Sequence, residues 1–386
     1  MTIGNRYLVF GAGLQGVAIA YDLLKNPTTE LVTIVDRSAK RVDEALRRLP
    51  MGWTRGETFD IGGNGDLVGL LRGNHCVIGA ASYEVHLALT KAALAADAHY
   101  CDLGCNNDVV AEQVVLHDEA LRLGLRVMPD CGVAPGAVCV LARLAIDRVP
   151  DAAVVKLRVG GLPQQPTGPL QYALAYSARG LVSNYVAPVE ILSNGTQKMV
   201  PALVGPREDQ FFPAPIGRLE ALWTSGGSST LTKTYAGRIK YLDYKTLRWP
   251  GHWETINMMR NLGLFVEDRT IDVGGVKITP RDFTERLLDE TLPRDQPDLL
   301  VLRVVAKNLY GDGVQFDLVD RADPYTGFSA MQRTTGFAAS IIAQMLVSGE
   351  VHPYGVLRHE QVVPAEQFLK EWRKRGINVT ETKLTS

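Results

Sequence analysis

Gly11-Ala12-Gly13-Leu14-Gln15-Gly16 follows the apolar run Tyr7-Leu8-Val9-Phe10 and precedes Ala20, Leu23 and Leu24, which recur at i, i+3 and i+4. The run reads as a buried parallel strand and the recurrence as one face of a helix. A bare G-x-G-x-x-G also occurs as a plain turn, but strand, glycine turn and helix in this order form a dinucleotide-binding pattern. Gly11 permits the tight turn, Gly13 lets the backbone approach a pyrophosphate, and Gly16 lets helix and strand pack closely. With Leu14 and Gln15, these glycines are expected to line the phosphates at the helix N-terminus. A second strand, Leu31-Val32-Thr33-Ile34-Val35, ends at Asp36, about 20 residues past the turn, where a carboxylate accepts hydrogen bonds from the adenosine ribose. That carboxylate repels a 2′-phosphate and favours NAD over NADP, whereas Arg37 beside it would suit NADP.

The series continues outward from this unit. Cys76–Ala80 reads as a strand, with a helical face of Val85, Leu89, Ala92, Ala93 and Ala96 after it. His99–Asp102 reads as a short strand, residues 114–123 as a helix, and the run Arg126–Asp130 closes the series. Strands alternating with helices imply a parallel sheet, whose ligands sit beyond the carboxyl ends of the strands. Ala80, Ala81, Asp102, Gly104 and Asp130 stand at such ends. Past about residue 150 the texture changes. Asn194-Gly195 between two apolar runs is a hairpin signal, and further strands are expected at 154–159, 218–223, 299–307 and 314–319. These imply an antiparallel sheet in a second domain. Residues 329–347 read as a late helix, and the basic stretch Lys370–Arg375 as a solvated helix end.

The 386 residues exceed one ordinary core and imply two domains. The chain is 46% apolar and 22% charged, with a net charge of −1, so nothing in it points to nucleic acid or an anionic membrane. No apolar stretch is long enough to span a bilayer, and no secretory leader is visible, so a cytoplasmic location is expected. Five cysteines, Cys76, Cys101, Cys105, Cys131 and Cys139, are too sparse for a disulfide framework. Cys101 and Cys105 have no second pair at metal-ligand spacing, so no metal is expected.

Several later stretches carry a resemblance: Val159-Gly160-Gly161-Leu162-Pro163, Pro169-Leu170-Gln171-Tyr172, Ser177-Ala178-Arg179, the run from Thr246 to His252, and Thr335-Gly336-Phe337. In order and approximate spacing they resemble the saccharopine dehydrogenase-like superfamily, and within it the lysine 6-dehydrogenase group. That resemblance implies a split Rossmann-type parallel-sheet domain (residues 1–132 and about 329–386) with an inserted antiparallel-sheet substrate domain (about 133–328). It also implies NAD-linked oxidation of the lysine ε-amine to allysine, which cyclises to piperideine-6-carboxylate, with release of ammonia and NADH. Two departures stand out. Ser177-Ala178-Arg179 replaces a common Ser-Pro-Arg, and Ala80-Ala81-Ser82 lacks a common proline. A homodimer or higher homo-oligomer is expected.

Such chemistry needs a cationic anchor for the substrate carboxylate and a base for the ammonium proton, because only an amine with a free lone pair releases hydride. Arg248 with His252, at the start of a helix opened by Pro250, is the expected anchor. The alternatives are an ion pair for Arg248, and a base or a cap for His252. Arg179 is either a second anion contact or a surface residue, and Tyr172 either lines the pocket or packs in a strand. Asp130 binds the ammonium, takes its proton, or closes a turn; Asp102 is a similar case, a contact at the cofactor end or a turn, with the turn favoured. Thr335 and Arg333 are candidates for substrate or nicotinamide contacts. Cys131 resembles a nucleophile, but the sequence identifies no base beside it. Two other functions remain open: a saccharopine-type or carboxynorspermidine-type reductase joining an amine to a carbonyl compound, with Lys233, Lys240 or Arg179 as added cations, and a non-catalytic nucleotide sensor.

Overall fold

A computed structural model of the protein describes residues 4–104, 106–294 and 296–386. Cys105 lies outside the described residues. The chain divides into two compact units. The first comprises Met1–Leu144, Ser229–Leu231 and Gln332–Asn378, and the second comprises Ala145–Ser228, Thr232–Met331 and Val379–Ser386.

In the first unit a seven-stranded parallel sheet runs in the order Gly355–Val356, Arg126–Met128, His99–Asp102, Cys76–Gly79, Asn5–Phe10, Thr29–Asp36 and Thr54–Thr58. Its central strands are buried along most of their length, as a sheet covered on both faces requires, and so they read as unbroken apolar runs. The helix Phe337–Ser348 packs on the strands Cys76–Gly79 and His99–Asp102 and on the helix Leu14–Leu23. Thr54–Thr58 is a mostly exposed edge strand with the sequence Thr-Arg-Gly-Glu-Thr, which gave the pattern reading nothing to detect. The helix expected over 114–123 is instead two helices, Asn107–Val114, capped by the Asn106 side chain, and His117–Leu123. Arg126–Met128 does not end the series, because Gly355–Val356 pairs beyond it.

The second unit holds a nine-stranded sheet. Its main path is Glu208–Phe212, Gly217–Trp223, Tyr241–Arg248, Val154–Pro163, Asp298–Lys307, Gly313–Arg321 and Val379–Leu384, with the hairpin Val189–Ser193 and Thr196–Val200 joined to Tyr241–Arg248. Asn194 and Gly195 take φ of 53° and 77°, the two positive values that a type I′ turn demands. The sheet is mixed rather than purely antiparallel, since Tyr241–Arg248 pairs in parallel with Val154–Pro163. The long intervening stretch lets the chain return in the same direction, which a tight hairpin cannot do. The last strand also differs from expectation. Val379–Leu384 adds antiparallel to Gly313–Arg321 in this sheet and does not rejoin the dinucleotide-binding unit. Among the described residues no helix is long and apolar enough to cross a membrane.

The basic stretch is not simply solvated. Arg375 Nε lies 2.7 Å from Asp22 Oδ1, with side chains 14% and 5% exposed, and Glu371 adds a second carboxylate at 2.9 Å. Burial pushes the Asp22 carboxyl up even against the pull of Arg375, so loss of that cation would strand a buried charge. Arg375→Ala is expected to cost about 3 kcal/mol in urea unfolding, whereas an Asp22→Asn/Arg375→Met double variant loses less. Equal losses in the two variants would show that the pair contributes nothing.

Burial also holds two histidines of this unit neutral, His99 and His359, each lowered to about 4. The unfolded chain binds these protons near pH 6.5, and the folded chain refuses them until about pH 4. Their contribution to stability is therefore complete above pH 6.5 and is lost as pH falls through that window, at up to about 1.4 kcal/mol per pH unit for each. Unfolding free energies measured at pH 7, 6 and 5 should fall more steeply for the wild type than for His359→Gln. Parallel slopes would contradict the buried neutral imidazole.

Candidate functional site

In the first unit the glycine turn is built by contact. Gly11 has φ +119°, and a Cβ there would lie 2.6 Å from the Ala80 carbonyl. A Cβ on Gly16 would lie 1.7 Å from the Gly11 carbonyl oxygen, so helix and strand meet only if position 16 lacks a side chain. A Cβ on Gly13 would meet nothing within 4 Å. That open space lies at the N-cap of the helix Leu14–Leu23, which no side chain caps. Leu14 is 54% exposed, and its carbonyl accepts from Gln332 Nε2 at 2.8 Å. A helix N-terminus without a side-chain cap beside open space suits a pyrophosphate, so the residues present fit a dinucleotide. Asp36 is buried at the end of its strand. One oxygen accepts from the Ala12 N–H at 3.0 Å and the other from the Ser38 N–H at 2.9 Å, which fixes the carboxylate while leaving it lone pairs for a ribose. Arg37 is exposed beside it, and Ala80 and Ala81 are half-buried.

The next strand ends are wired to each other. Asp102, expected beside the cofactor, is wholly buried. It accepts from the Gly104 N–H at 2.8 Å, the Asp130 N–H at 3.0 Å and Gln113 Nε2 at 2.7 Å. These bonds hold two strand ends in place, so the turn reading of Asp102 is the one its geometry fits. Gly104, expected at the cofactor, packs against Asp130. It has φ +68°, and a Cβ there would lie 1.6 Å from Asp130 Oδ1. Asp130 itself takes φ 65°, is 2% exposed, and accepts the Ser229 hydroxyl proton at 2.6 Å. Thr335 lies in a π-helical turn, Gln332–Gly336, a distortion common at functional sites. Its Cγ2 stands 3.3 Å from where a Gly132 Cβ would be. Arg333 is directed to the Arg375 carbonyl at 3.2 Å and to the Phe337 ring.

In the second unit Arg248 ends the strand Tyr241–Arg248, and His252 begins the helix His252–Asn261. Arg248 is 4% exposed. Its Nε–H donates to Tyr185 Oη at 3.3 Å and an Nη1–H to the Leu247 carbonyl at 3.0 Å. Its guanidinium carbon lies 4.7 Å over the Tyr172 ring. Among the described residues no carboxylate stands within ion-pair distance of it. Burial opposes the charge, but Tyr185, Tyr172 and Tyr176 around it raise its pKa above the ordinary value. Tyr172 is 2% exposed and lies in a loop rather than a strand. Arg179 sits exposed in the first turn of the helix Ala178–Val186.

His252 is not the base. It is fully buried; its Nδ1 lies 2.6 Å from the Leu170 carbonyl and its Nε2 3.0 Å from Tyr185 Oη. A carbonyl only accepts, so Nδ1 carries the proton and Nε2 accepts from the tyrosine. Burial first, then Arg248, lowers its pKa to about 3, and its one lone pair is already engaged. Tyr185 was missed in the sequence, although Leu181, Val182 and Tyr185 mark the buried face of its helix. A tyrosine on such a face needs a polar partner, and that was the available signal. Cys131 does have a neighbouring base, since His359 Nε2 lies 3.4 Å from its sulfur. Burial pushes the thiol well up and holds the imidazole neutral, so the pair stays uncharged and is no activated nucleophile.

Comparison with known proteins agrees with both units. The family model for the saccharopine dehydrogenase NADP binding domain matches residues 7–128, and that for the saccharopine dehydrogenase C-terminal domain matches residues 132–377. The apo structure of saccharopine dehydrogenase (L-Glu forming) from Saccharomyces cerevisiae aligns over 99% of this chain and 100% of its own, with a TM-score of 0.79 and 20% identity. The homospermidine synthase of Legionella pneumophila, solved in complex with NAD, aligns over 98% of this chain and 91% of its own, with a TM-score of 0.70 and 14% identity. At these identities the two structures show a shared fold. The family models extend over both the nucleotide-binding unit and the sheet that carries Arg248, and the chain belongs to the saccharopine dehydrogenase family of oxidoreductases.

Proposed function

We propose that the protein is an NAD-dependent amine dehydrogenase that oxidises the ε-carbon of L-lysine. The observation that carries this reading is Arg248, a buried cation with an aromatic floor and, among the described residues, no carboxylate within ion-pair distance. An uncompensated buried charge is costly, and an amino acid's carboxylate would relieve that cost. The number of such cations supports a substrate with one carboxylate. Among the described residues the other buried cations of this unit are Arg158, held by Glu208 and Asp243, and Lys245, held by Glu208. Lys233, Lys240 and Arg179, the cations that a conjugate with several carboxylates would call on, are exposed.

In this reading Arg248 binds the α-carboxylate while the Tyr172 ring limits where the guanidinium can swing. Asp130, held by the Ser229 hydroxyl, is the first unit's candidate acceptor for an ammonium proton. Asp36 binds the adenosine ribose. NAD, when bound, supplies the hydride acceptor. The net reaction consumes the alkylammonium, NAD⁺ and water and yields the aldehyde, ammonium, NADH and a proton.

Incubation with NAD and L-lysine is expected to raise absorbance from NADH and to release an equal amount of ammonia. Arg248→Gln should raise KM for lysine about 30- to 100-fold with little change in KM for NAD. Oxidation of NADH only when an amine and a carbonyl compound are supplied together would replace this reading with the reductase; binding without turnover would replace it with the sensor. Asp36→Ala, which leaves Arg37 in place, should move the ratio of kcat/KM at least tenfold toward NADP. An unchanged ratio would show that the ribose contact is assigned to the wrong residue.

A further inference from the structure

We infer that Tyr185 and His252 are positioning residues, a relay of hydrogen bonds that aims the Arg248 guanidinium at the substrate carboxylate without touching the substrate. The inference rests on the reading of Arg248 as the carboxylate anchor. Three bonds run in one direction. Arg248 Nε–H donates to Tyr185 Oη, the Tyr185 hydroxyl donates to His252 Nε2, and His252 Nδ1–H donates to the Leu170 carbonyl. A hydroxyl has one proton to give. Tyr185 can present a lone pair to Arg248 only if that proton points elsewhere, and His252 is where it goes. The Leu170 carbonyl in turn fixes which nitrogen of His252 accepts. Packing holds the members in place, with Tyr185 and His252 edge-on at 6.0 Å and each edge-on to Trp253, at 5.7 and 5.1 Å.

The consequence for Arg248 is geometric. Of the five N–H groups on a guanidinium, the Nε–H and one Nη1–H are spent inside the chain. The edge that includes Nε is thereby closed, and one Nη1–H and the two Nη2–H groups are left for a carboxylate. Two facing groups keep the relay in this state. Arg248 and burial together keep His252 uncharged down to about pH 3, and burial pushes the Tyr185 hydroxyl up to about 12. Tyr172, the other titratable side chain whose ring contacts His252, is likewise raised by burial. Aim is therefore constant across the pH range in which an amine loses its proton.

A double-mutant cycle tests the relay. Tyr185→Phe and His252→Leu should each raise KM for lysine about tenfold, with kcat within about twofold. The double variant should be no worse than Tyr185→Phe alone, because His252 acts only through the tyrosine. His252→Gln, whose amide oxygen can take the Tyr185 proton, should return KM to within about threefold of wild type. The diamine 1,5-diaminopentane, which has no carboxylate, controls for folding: its kcat/KM should be the same in all these variants. Additive effects in the cycle, or equal losses with the diamine, would overturn the relay. So would ¹⁵N NMR of the wild type showing His252 as an imidazolium, or as the Nε2–H tautomer, at pH 6. If Arg248→Gln leaves KM unchanged, it is the anchor that fails, and the NMR spectrum still decides whether the relay exists.

Discussion

A guanidinium buried without a counter-charge shapes the second unit. Removing an ion from water is unfavourable by several kcal/mol, and here polar and aromatic neighbours meet that cost in place of an acid. Tyr172 lies under the Arg248 plane, Tyr185 accepts from its Nε–H, and the Leu247 carbonyl accepts from Nη1. Each neighbour is itself held by the fold: Tyr185 by the buried face of its helix, His252 by a helix start, and Leu170 by the loop that reaches it. A carboxylate in the same place would have met that cost more simply. The two other buried cations of the unit, paired with Glu208 and Asp243, show that simpler solution.

The first unit solves a different problem, the close approach of backbone to backbone. Gly16 against Gly11, and Gly104 against Asp130, are contacts that no Cβ would survive. Asp102 then ties the end of its strand to Asp130, two residues past the strand Arg126–Met128. These close contacts leave the glycine turn little freedom to reorganise.

Much of this architecture was legible because buried parallel strands leave unbroken apolar runs and because turns carry their own chemistry. The strand at Tyr7–Phe10, the glycine turn and the Asn194-Gly195 hairpin all declare themselves locally. The exposed strand Thr54–Thr58, the two-residue strand at Gly355 and the polar strand Val379–Leu384 do not, since their pairing rather than their composition makes them strands. The site divides in the same way. Arg248 and His252 could be singled out from a strand, a proline and a helix start, but their roles depend on what faces them. Only the fold shows Tyr185 meeting His252, which makes a residue expected at the anchor, or else as base or cap, a fixed acceptor. Likewise Asp102, one residue type with two plausible uses, is decided by three N–H groups that sequence cannot place. Lys370–Arg375 looked like solvated charge because its partner, Asp22, lies more than three hundred residues away.

The strand Val379–Leu384 has a consequence for how the protein is made. Val379–Leu384 is synthesised after Gln332–Asn378, which belongs to the other unit, so any sheet that the second unit forms before then lacks this strand. In such a sheet Gly313–Arg321 presents an unpaired edge, the kind of backbone that recruits neighbouring chains. The late strand closes that edge with Thr380, Glu381, Thr382 and Lys383, polar and charged side chains that discourage further addition. Any edge so exposed in the nascent chain closes only when its own late segment arrives.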